Sequence, residues 1–208
     1  MTLHMLTHHR QKVEPSAIHA GTIDLRDIAH ALAKMPRYNG HGPIDLHYSV
    51  AEHSVPMANY AYYDMLDRYN PHRIAASFAL AALLHDAHEA YMGDLTRAAK
   101  QAAGPDYKLV CDHIQYEINL KFECFGVAEA FASEIKGLDT RILLNERPII
   151  YPGSPPWEWE AEYDPLPFAK PLPCWSAAAA RDAFMGHFTV LAQIKNHGLS
   201  HNIRLERL

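Results

Sequence analysis

The fold and the chemistry of this chain are best read from residues 80–95, whose sequence is Leu-Ala-Ala-Leu-Leu-His-Asp-Ala-His-Glu-Ala-Tyr-Met-Gly-Asp-Leu. An apolar run that begins at Ile74 leads directly into His85 and Asp86. This run predicts a helix over residues 72–92 that is apolar almost all round and therefore central to the fold. His85 and Glu89 are four residues apart and share one face of such a helix, whereas Asp86 lies about 100° round from His85.

A metal ion in the groove beside this helix could contact both His85 and Asp86. Glu89, one turn further along, would then lie near a water on the metal rather than near the metal itself. Imidazole and carboxylate together suit divalent Zn, Mn, Co or Fe. A single His-Asp pair is also typical of a capping or solvated pair, so the choice between the two interpretations depends on the rest of the chain.

Composition limits the class of protein. At 208 residues the chain is long enough for one domain with a sizeable core. The net charge of -5, with Lys and Arg scattered, lacks the basic stripe that a nucleic-acid polymer requires, although a free nucleotide can be held by a few cations. No apolar run is long enough to span a bilayer, and Met1–Arg10 lacks the apolar centre of a signal peptide.

The three cysteines indicate the cellular compartment in which the protein resides. Cys111, Cys124 and Cys174 are far apart and form no C-x-x-C spacing, which argues against a cysteine zinc site and against a disulfide framework. A reducing cytosol is the simplest location for such a chain. We therefore expect a cytoplasmic protein.

The segment before the central helix contains a short helix and a loop. Asp24 is predicted to cap the short helix, which ends before Pro36. Residues 37–43 contain Asn-Gly and Gly-Pro and are predicted to form a loop. Arg37 and Tyr38 at the mouth of this loop suit a phosphate or a sugar ring; a surface Arg beside a buried Tyr is the alternative.

Two further potential metal ligands lie on other predicted helices. Ser49 and Glu52 form a capping box that opens a helix carrying His53 in or beside its apolar stripe. A buried His satisfied by a neighbour is the ordinary interpretation of such a residue. Asp139 borders the apolar face of a predicted helix over 127–145, so it needs either a metal or a cation such as Arg141.

The remaining chain completes an all-α prediction. Residues 1–20 lack periodicity and are expected to be irregular, and further helices are predicted over 96–103, 106–125 with Gly126 as C-cap, and 177–196. Residues 148–175 are rich in Pro and contain all three Trp, which predicts an ordered segment wrapped over the helical body, over a site or a subunit interface. We expect a single domain over residues 1–208, with a core at about 21–147, the Pro/Trp-rich segment at 148–175, and a final helix and tail at 176–208.

The order of the four potential ligands, His53, then His85-Asp86, then Asp139, resembles that of the HD-domain metal-dependent phosphohydrolases. Three stretches carry the resemblance: Tyr48–Ser54, Leu84–Leu95 and Ile135–Glu146. The branch it resembles most is that of the compact bacterial and phage deoxynucleotide phosphohydrolases, which includes 5'-deoxynucleotidases and phage dATP triphosphohydrolases. The resemblance covers about residues 21–147 and implies an HD-type helical bundle.

The resemblance implies a role for each matching residue. It makes four residues ligands of a divalent ion (Co, Mn, Zn or Fe, with Mg also admitted): His53, His85, Asp86 and Asp139. It makes Glu89 the residue that positions or deprotonates the attacking water, and Asp94 a second acidic partner near the scissile phosphate.

The resemblance also implies how the substrate is held. Arg37 and Tyr38 match an Arg-aromatic pair that contacts the sugar and phosphate and favours a deoxyribose, although Tyr38 stands where Trp is common. Lys100 lies at a matching distance after Asp94 to hold a phosphate; a solvated Lys is the alternative. The resemblance further implies a homo-oligomer. It also implies a location in the cytosol of a bacterium or of a phage-infected host.

The predicted function is a metal-dependent phosphohydrolase that acts on free deoxyribonucleotides through a metal-activated water. It would release either triphosphate from a dNTP such as dATP or phosphate from a dNMP, with a small-molecule deoxynucleotide as substrate and neither a nucleic-acid polymer nor a membrane as partner. The alternative is a non-catalytic HD-fold module that binds or senses a nucleotide, and the presence of Glu89 and Asp94 favours the enzyme. The chain contains no phosphate-binding G-x-x-x-x-G-K-[ST] loop, and His88-Glu89 is not followed by a His at 92 as in zinc proteases.

Overall fold

The protein is all-α, as predicted. The computed structural model describes residues 3–43, 45–69, 71–198, 205 and 207. Over these residues it has nine α-helices: α1 (Leu25–Lys34), α2 (Val50–Tyr69), α3 (His72–Leu83), α4 (Glu89–Met92), α5 (Arg97–Ala103), α6 (Pro105–Lys121), α7 (Phe125–Ala130), α8 (Ala132–Ile150) and α9 (Ala177–His197). The predicted final helix is confirmed as α9, and most of the tail predicted after it lies outside the described residues.

A small hairpin precedes the helices, so the expectation that residues 1–20 are irregular is wrong in part. β1 (Met5–Leu6) and β2 (Lys12–Val13) are antiparallel, with Met5 opposite Val13. The strands are too short to show the alternation by which a strand is recognised in a sequence.

The predicted N-terminal caps of α1 and α2 are confirmed. The Asp24 carboxylate accepts a hydrogen bond of 2.8 Å from the backbone N–H of Arg26 and so satisfies a free donor of α1. At α2 the Glu52 carboxylate accepts from the backbone N–H of Ser49 at 2.9 Å, and the Ser49 hydroxyl accepts from the backbone N–H of Glu52 at 3.3 Å. These caps fix where α2 begins and hence where His53 lies.

Helix α2 continues through Pro56, which lies in its second turn. Proline has no N–H, so the carbonyl of Glu52 loses its helical donor. The hydroxyl of Tyr48 donates to this carbonyl at 3.4 Å. A tertiary contact thus replaces the missing helical bond one residue before His53.

Two predicted helix ends differ from the structure, and the single helix predicted over 127–145 is instead the end of α7 followed by α8, with Phe131 between them. Gly126 does not cap the helix that was predicted over 106–125, because α6 ends at Lys121 and Gly126 lies inside α7. Helix α8 runs through Pro148 to Ile150, beyond the predicted helix end at 145, and the bond of 2.7 Å from Tyr151 N to Arg147 O closes its last turn. The fixed φ of proline is compatible with a helix, so Pro148 removes one hydrogen bond without ending α8.

The core lies where α2, α3 and α9 pack against one another, with α1 across α2 and α9 and with α8 against α2. Its largest fully buried side chains include Phe78 of α3 and Phe184 of α9. Among the described residues, no helix combines the length and the apolar character that crossing a membrane requires.

The chain after α8 is held against that helix. The Asn145 side chain donates to the carbonyl of Leu166 and accepts from its N–H, both at 2.9 Å, and Arg141 Nε donates to the carbonyl of Asp164 at 2.9 Å. The backbone N–H of Trp175 donates to the carboxylate of Glu52 on α2. The Pro/Trp-rich segment is therefore ordered along the helical body.

Candidate metal centre

The four predicted ligands come together in space. One ligand atom from each of His53, His85, Asp86 and Asp139 lies within 4.8 Å of the other three. Helix α2 provides His53, the linker between α3 and α4 provides His85 and Asp86, and α8 provides Asp139. The distances between neighbouring ligand atoms are short: His85 Nε2 to Asp86 Oδ2 is 3.1 Å, and His53 Nε2 to Asp139 Oδ1 is 3.3 Å.

The continuous helix predicted over 72–92 is interrupted at this point. α3 ends at Leu83, residues 84–88 form turns, and α4 begins at Glu89. Two backbone carbonyls at the break accept hydrogen bonds from side chains. Leu84 O accepts from the Gln115 side chain of α6 at 2.8 Å, and Ala82 O accepts from His85 Nδ1 at 2.8 Å. His85 and Glu89 therefore do not lie one turn apart on a regular helix.

Both imidazoles are oriented by a hydrogen bond from Nδ1. His85 Nδ1 donates to the Ala82 carbonyl, and His53 Nδ1 donates to the Glu146 carboxylate at 2.6 Å. This arrangement leaves the two Nε2 atoms, 3.3 Å apart, directed at the same point. Such a contact on the second ring nitrogen is the usual way in which a metal-binding His is fixed.

The electrostatics of the cluster fit a bound cation. With both Nδ1 atoms occupied as donors, two Nε2 atoms and two carboxylate oxygens converge as acceptors, and only protons or a cation can bridge them. Burial opposes charge on His85, but Asp86 and Asp139 outweigh it and raise the pKa of His85 to about 10. Burial likewise opposes ionisation of Asp139, but hydrogen bonds from His53 and His85 hold its pKa well below the ordinary value.

The donor set thus fits a divalent ion that accepts both nitrogen and oxygen ligands, such as Zn, Mn, Co or Fe. Asp139 does not pair with Arg141, which was the alternative partner on the same helix. Instead Asp139 pairs with Lys136 at its other oxygen, which leaves Oδ1 for the cluster.

Glu89 lies beside the centre and is fully buried. Its Oε1 pairs with Lys100 Nζ at 2.9 Å, and its Oε2 has no hydrogen-bond partner among the described residues. Burial, together with the charges of Asp86 and Asp94, raises the pKa of Glu89 to about 8. Lys100 lowers this pKa, but by less. Lys100 is thus paired with Glu89, while 38% of its side chain remains exposed to solvent.

Arg37 is buried among carboxylates and is not a surface residue. Its guanidinium lies 3.3 Å from Glu146 Oε2 and 3.8 Å from both Asp86 Oδ2 and Asp94 Oδ2. Burial lowers the pKa of Arg37, but the charges of Glu146 and Asp94 raise it by more. The pKa of Arg37 therefore lies well above its ordinary value. Among the described residues, its buried Nε has no hydrogen-bond partner.

The backbone beside Arg37 is strained. Tyr38 has φ of 55° and Asn39 has φ of 53°, in the left-handed region that non-glycine residues seldom adopt. The Arg37 N–H donates to the carbonyl of Tyr48 at 2.8 Å and holds the loop to the start of α2. Strain of this kind persists where the surrounding structure over-determines the conformation, often at functional sites.

Glu146 is the residue of this site that sequence reasoning missed. It is fully buried, and its two oxygens connect the candidate metal ligand His53 with Arg37 and with the Tyr38 hydroxyl, which donates to Oε2 at 2.9 Å. It lies seven residues after Asp139, which on a helix is two turns along the same face. That spacing was the available signal, because a carboxylate on the same buried face requires a partner.

The centre opens into a cavity of about 770 Å³. All the predicted site residues except His53, His85 and Glu89 line it: Arg37, Tyr38, Asp86, Asp94, Lys100 and Asp139. The three exceptions contact this lining through Asp86, Asp139 and Lys100. Residues of the Pro/Trp-rich segment also line the cavity, including Trp157 and Trp159.

Comparisons with known proteins give relatives without an assigned activity. An uncharacterized protein of Rhodobacter capsulatus is 39% identical over 119 residues, which are 57% of this chain and 58% of that protein. The uncharacterized protein YfdR of Escherichia coli is 31% identical over 130 residues, which are 62% of each chain. The match thus spans less than two thirds of the length of either relative, and no protein-family model matches the chain.

Proposed function

We propose that this protein is a metal-dependent phosphohydrolase that acts on free deoxyribonucleotides. The observation that carries the proposal is the convergence of His53, His85, Asp86 and Asp139 at the wall of a cavity that also presents Arg37 and Lys100. The three sequence stretches that resemble HD-domain phosphohydrolases contain all four of these ligands. A divalent ion bound there supplies Lewis-acid chemistry, since it lowers the pKa of a water and polarises a phosphoryl group.

In this proposal Glu89 accepts the proton of the attacking water. Lys100 fixes one of its oxygens at 2.9 Å, and the other has no partner among the described residues and is free to accept. A base with a pKa near the working pH transfers protons efficiently.

Arg37 and Lys100 stabilise the negative charge of the phosphoryl oxygens. Both line the cavity, and the buried Nε of Arg37 is a donor without a partner among the described residues. Charges held rigidly in a buried site act strongly on a developing charge, because they need no reorganisation. Burial raises the pKa of Asp94, as does Asp86, against the pull of Arg37. In this proposal Asp94, 3.8 Å from the Arg37 guanidinium, is the second acidic group near the scissile phosphate.

The proposal is tested by measuring phosphate release from each dNMP and dNTP. Metal-stripped protein is reloaded with Co, Mn, Zn or Mg, and ribonucleotides and the Asp139→Ala variant serve as controls. Orthophosphate from monophosphates identifies a 5'-deoxynucleotidase, and inorganic triphosphate from a dNTP identifies a triphosphohydrolase. Bound nucleotide with no product under any metal would overturn the proposal in favour of a nucleotide-binding module.

A further inference from the structure

The Pro/Trp-rich segment contributes a row of aromatic rings to the wall of the cavity. The row begins at Tyr38, whose ring centroid is 5.5 Å from that of Tyr151, and continues through Trp157 at 6.3 Å from Tyr151. Trp159 lies 6.0 Å beyond Trp157, with the two ring planes only 20° apart. All four residues line the same cavity as Asp86 and Asp139.

The segment is held firmly enough to act as a wall. Arg147 of α8 pairs with Glu160 at 2.9 Å, donates to the carbonyl of Ser154 at 2.6 Å, and places its guanidinium 5.6 Å from the centre of the Trp157 ring. On the other side of the row, Arg97 of α5 lies 5.4 Å from the centre of the Trp159 ring. The rings are therefore preorganised, so little ordering cost remains for a ligand.

One of these rings is open to solvent although it has aromatic neighbours on both sides. Trp157 is 47% exposed, which is unusual for so large an apolar side chain. An exposed aromatic surface inside a preformed cavity suits a planar ring, because stacking removes apolar area from water and adds a favourable electrostatic contact. The cations Arg37 and Lys100 line the same cavity and suit a phosphate, so its complementary ligand joins a phosphate to a planar aromatic ring.

We propose that Trp157 and Trp159, continued by Tyr151, form the subsite for the base of a nucleotide whose phosphate lies at the metal centre. This inference rests on the proposed function, and it adds where the base is recognised and by what chemistry. Stacking on an aromatic face accepts any base. The subsite therefore selects nucleotides over base-free sugar phosphates, and it favours purines, which present the larger face.

Binding and turnover test the subsite separately. Binding is followed by tryptophan fluorescence on metal-free protein, with dAMP as ligand and 2-deoxyribose 5-phosphate as base-free control. The third tryptophan, Trp175, does not line the cavity, and Trp175→Phe removes its background signal. Turnover of both compounds is then measured on metal-loaded protein.

We expect Trp157→Ala and Trp159→Ala each to weaken dAMP binding at least about fivefold, and to raise KM for dAMP with little change in kcat. The affinity for 2-deoxyribose 5-phosphate and its turnover should not change in either variant. Trp157→Phe and Trp159→Phe should recover most of the affinity, because phenylalanine keeps a stacking face. Trp175→Ala is the matched control, and circular dichroism verifies folding.

The outcomes distinguish this inference from the proposed function. Unchanged dAMP affinity in folded Trp157→Ala and Trp159→Ala would overturn the subsite, even if the protein hydrolyses deoxynucleotides. Weaker dAMP binding in both variants, measured by isothermal calorimetry because each variant lacks a reporting tryptophan, would support the subsite even if no phosphate were released. An equal loss for dAMP and for the base-free control would also overturn it, because the tryptophans would then act on the phosphate end of the site.

Discussion

At the scale of single residues, Glu146 connects the metal centre to the residues expected to contact substrate. One oxygen orients His53, and the other holds Arg37 and Tyr38. Burial opposes the charge of Glu146, but Arg37 and His53 lower its pKa, so it is ionised and accepts from all three partners. The metal ligand and the Arg-aromatic pair thus share one buried anion.

Glu146→Gln should weaken divalent metal binding by about 10- to 100-fold, because glutamine lacks the charge that orients and polarises His53. Isothermal calorimetry with Mn or Co measures this change. Glu117→Gln is the control, since the half-buried carboxylate of Glu117 on α6 accepts from the backbone N–H of Ala20 and contacts no candidate ligand. Equal metal affinity in both variants would contradict the role of Glu146.

Glu89→Gln should reduce kcat by about 100- to 10,000-fold, because the amide cannot accept the proton of water. Its metal content should equal that of the unmodified protein, as determined by mass spectrometry of the bound metal. Exposed Glu129 on α7 provides a control, and Glu129→Gln should leave kcat unchanged. Full activity of Glu89→Gln would assign the proton transfer to another residue.

Metal binding at pH 7 should release protons. Burial opposes protonation of His85, but Asp86 and Asp139 raise its pKa to about 10, so metal-free protein keeps the proton at pH 7. A ligand nitrogen must be unprotonated, and affinity should therefore rise with pH up to about 10. Calorimetry in two buffers of different ionisation enthalpy measures the protons released; a binding enthalpy independent of the buffer would refute the prediction.

At the scale of elements, α8 performs two tasks on different faces. Asp139 and Glu146 face the metal centre, whereas Arg141, Asn145 and Arg147 hold the Pro/Trp-rich segment. The position of the cavity wall relative to the metal centre is therefore set by one helix. Displacing the segment need not disturb the ligands.

Arg147→Ala should loosen the segment without removing metal. The change deletes the pair with Glu160 and the hydrogen bond to the Ser154 carbonyl. Hydrogen exchange over residues 151–163 should become faster, while the protection of α2 and α3 stays the same. Arg181→Ala is the control, because Arg181 pairs only with its exposed neighbour Asp182 in the contacts described. Unaltered exchange over 151–163 in Arg147→Ala would show that other contacts hold the wall.

At the scale of the whole molecule, the metal centre joins three parts of the chain that are distant in sequence. α2, the linker between α3 and α4, and α8 each contribute ligands, and α2 and α3 also form much of the core. A bound ion is thus a cross-link within the folded state that the unfolded chain does not hold in place.

Saturation with Mn or Co should therefore raise the melting temperature. At a hundredfold excess over Kd, binding stabilises the folded state by about 2.7 kcal/mol, which is about 5–10 °C for a chain of this size. Asp139→Ala should show no such shift in a thermal unfolding scan. A shift of the same size in Asp139→Ala would mean that the ion binds elsewhere, for example at the His residues near the N-terminus.

The all-α class and the capping of α1 and α2 were determined by local sequence, because helical periodicity and capping boxes involve residues only a few positions apart. The four candidate ligands were readable in part: a His or Asp on an apolar face requires a partner, and the resemblance to HD-domain phosphohydrolases implied that the partner is a metal. The break after Leu83 was decided only by the tertiary structure. The side chain of Gln115 on α6 donates to the carbonyl of Leu84, which in a regular helix would accept from the backbone N–H four residues further on. The spacing from Asp139 indicated that Glu146 needs a partner, but the tertiary structure decided which one, as it decided the aromatic wall: Glu146 lies 93 positions from His53, and Arg97 lies far in sequence from Trp159. No local pattern encodes such contacts, because they exist only once the helices have packed.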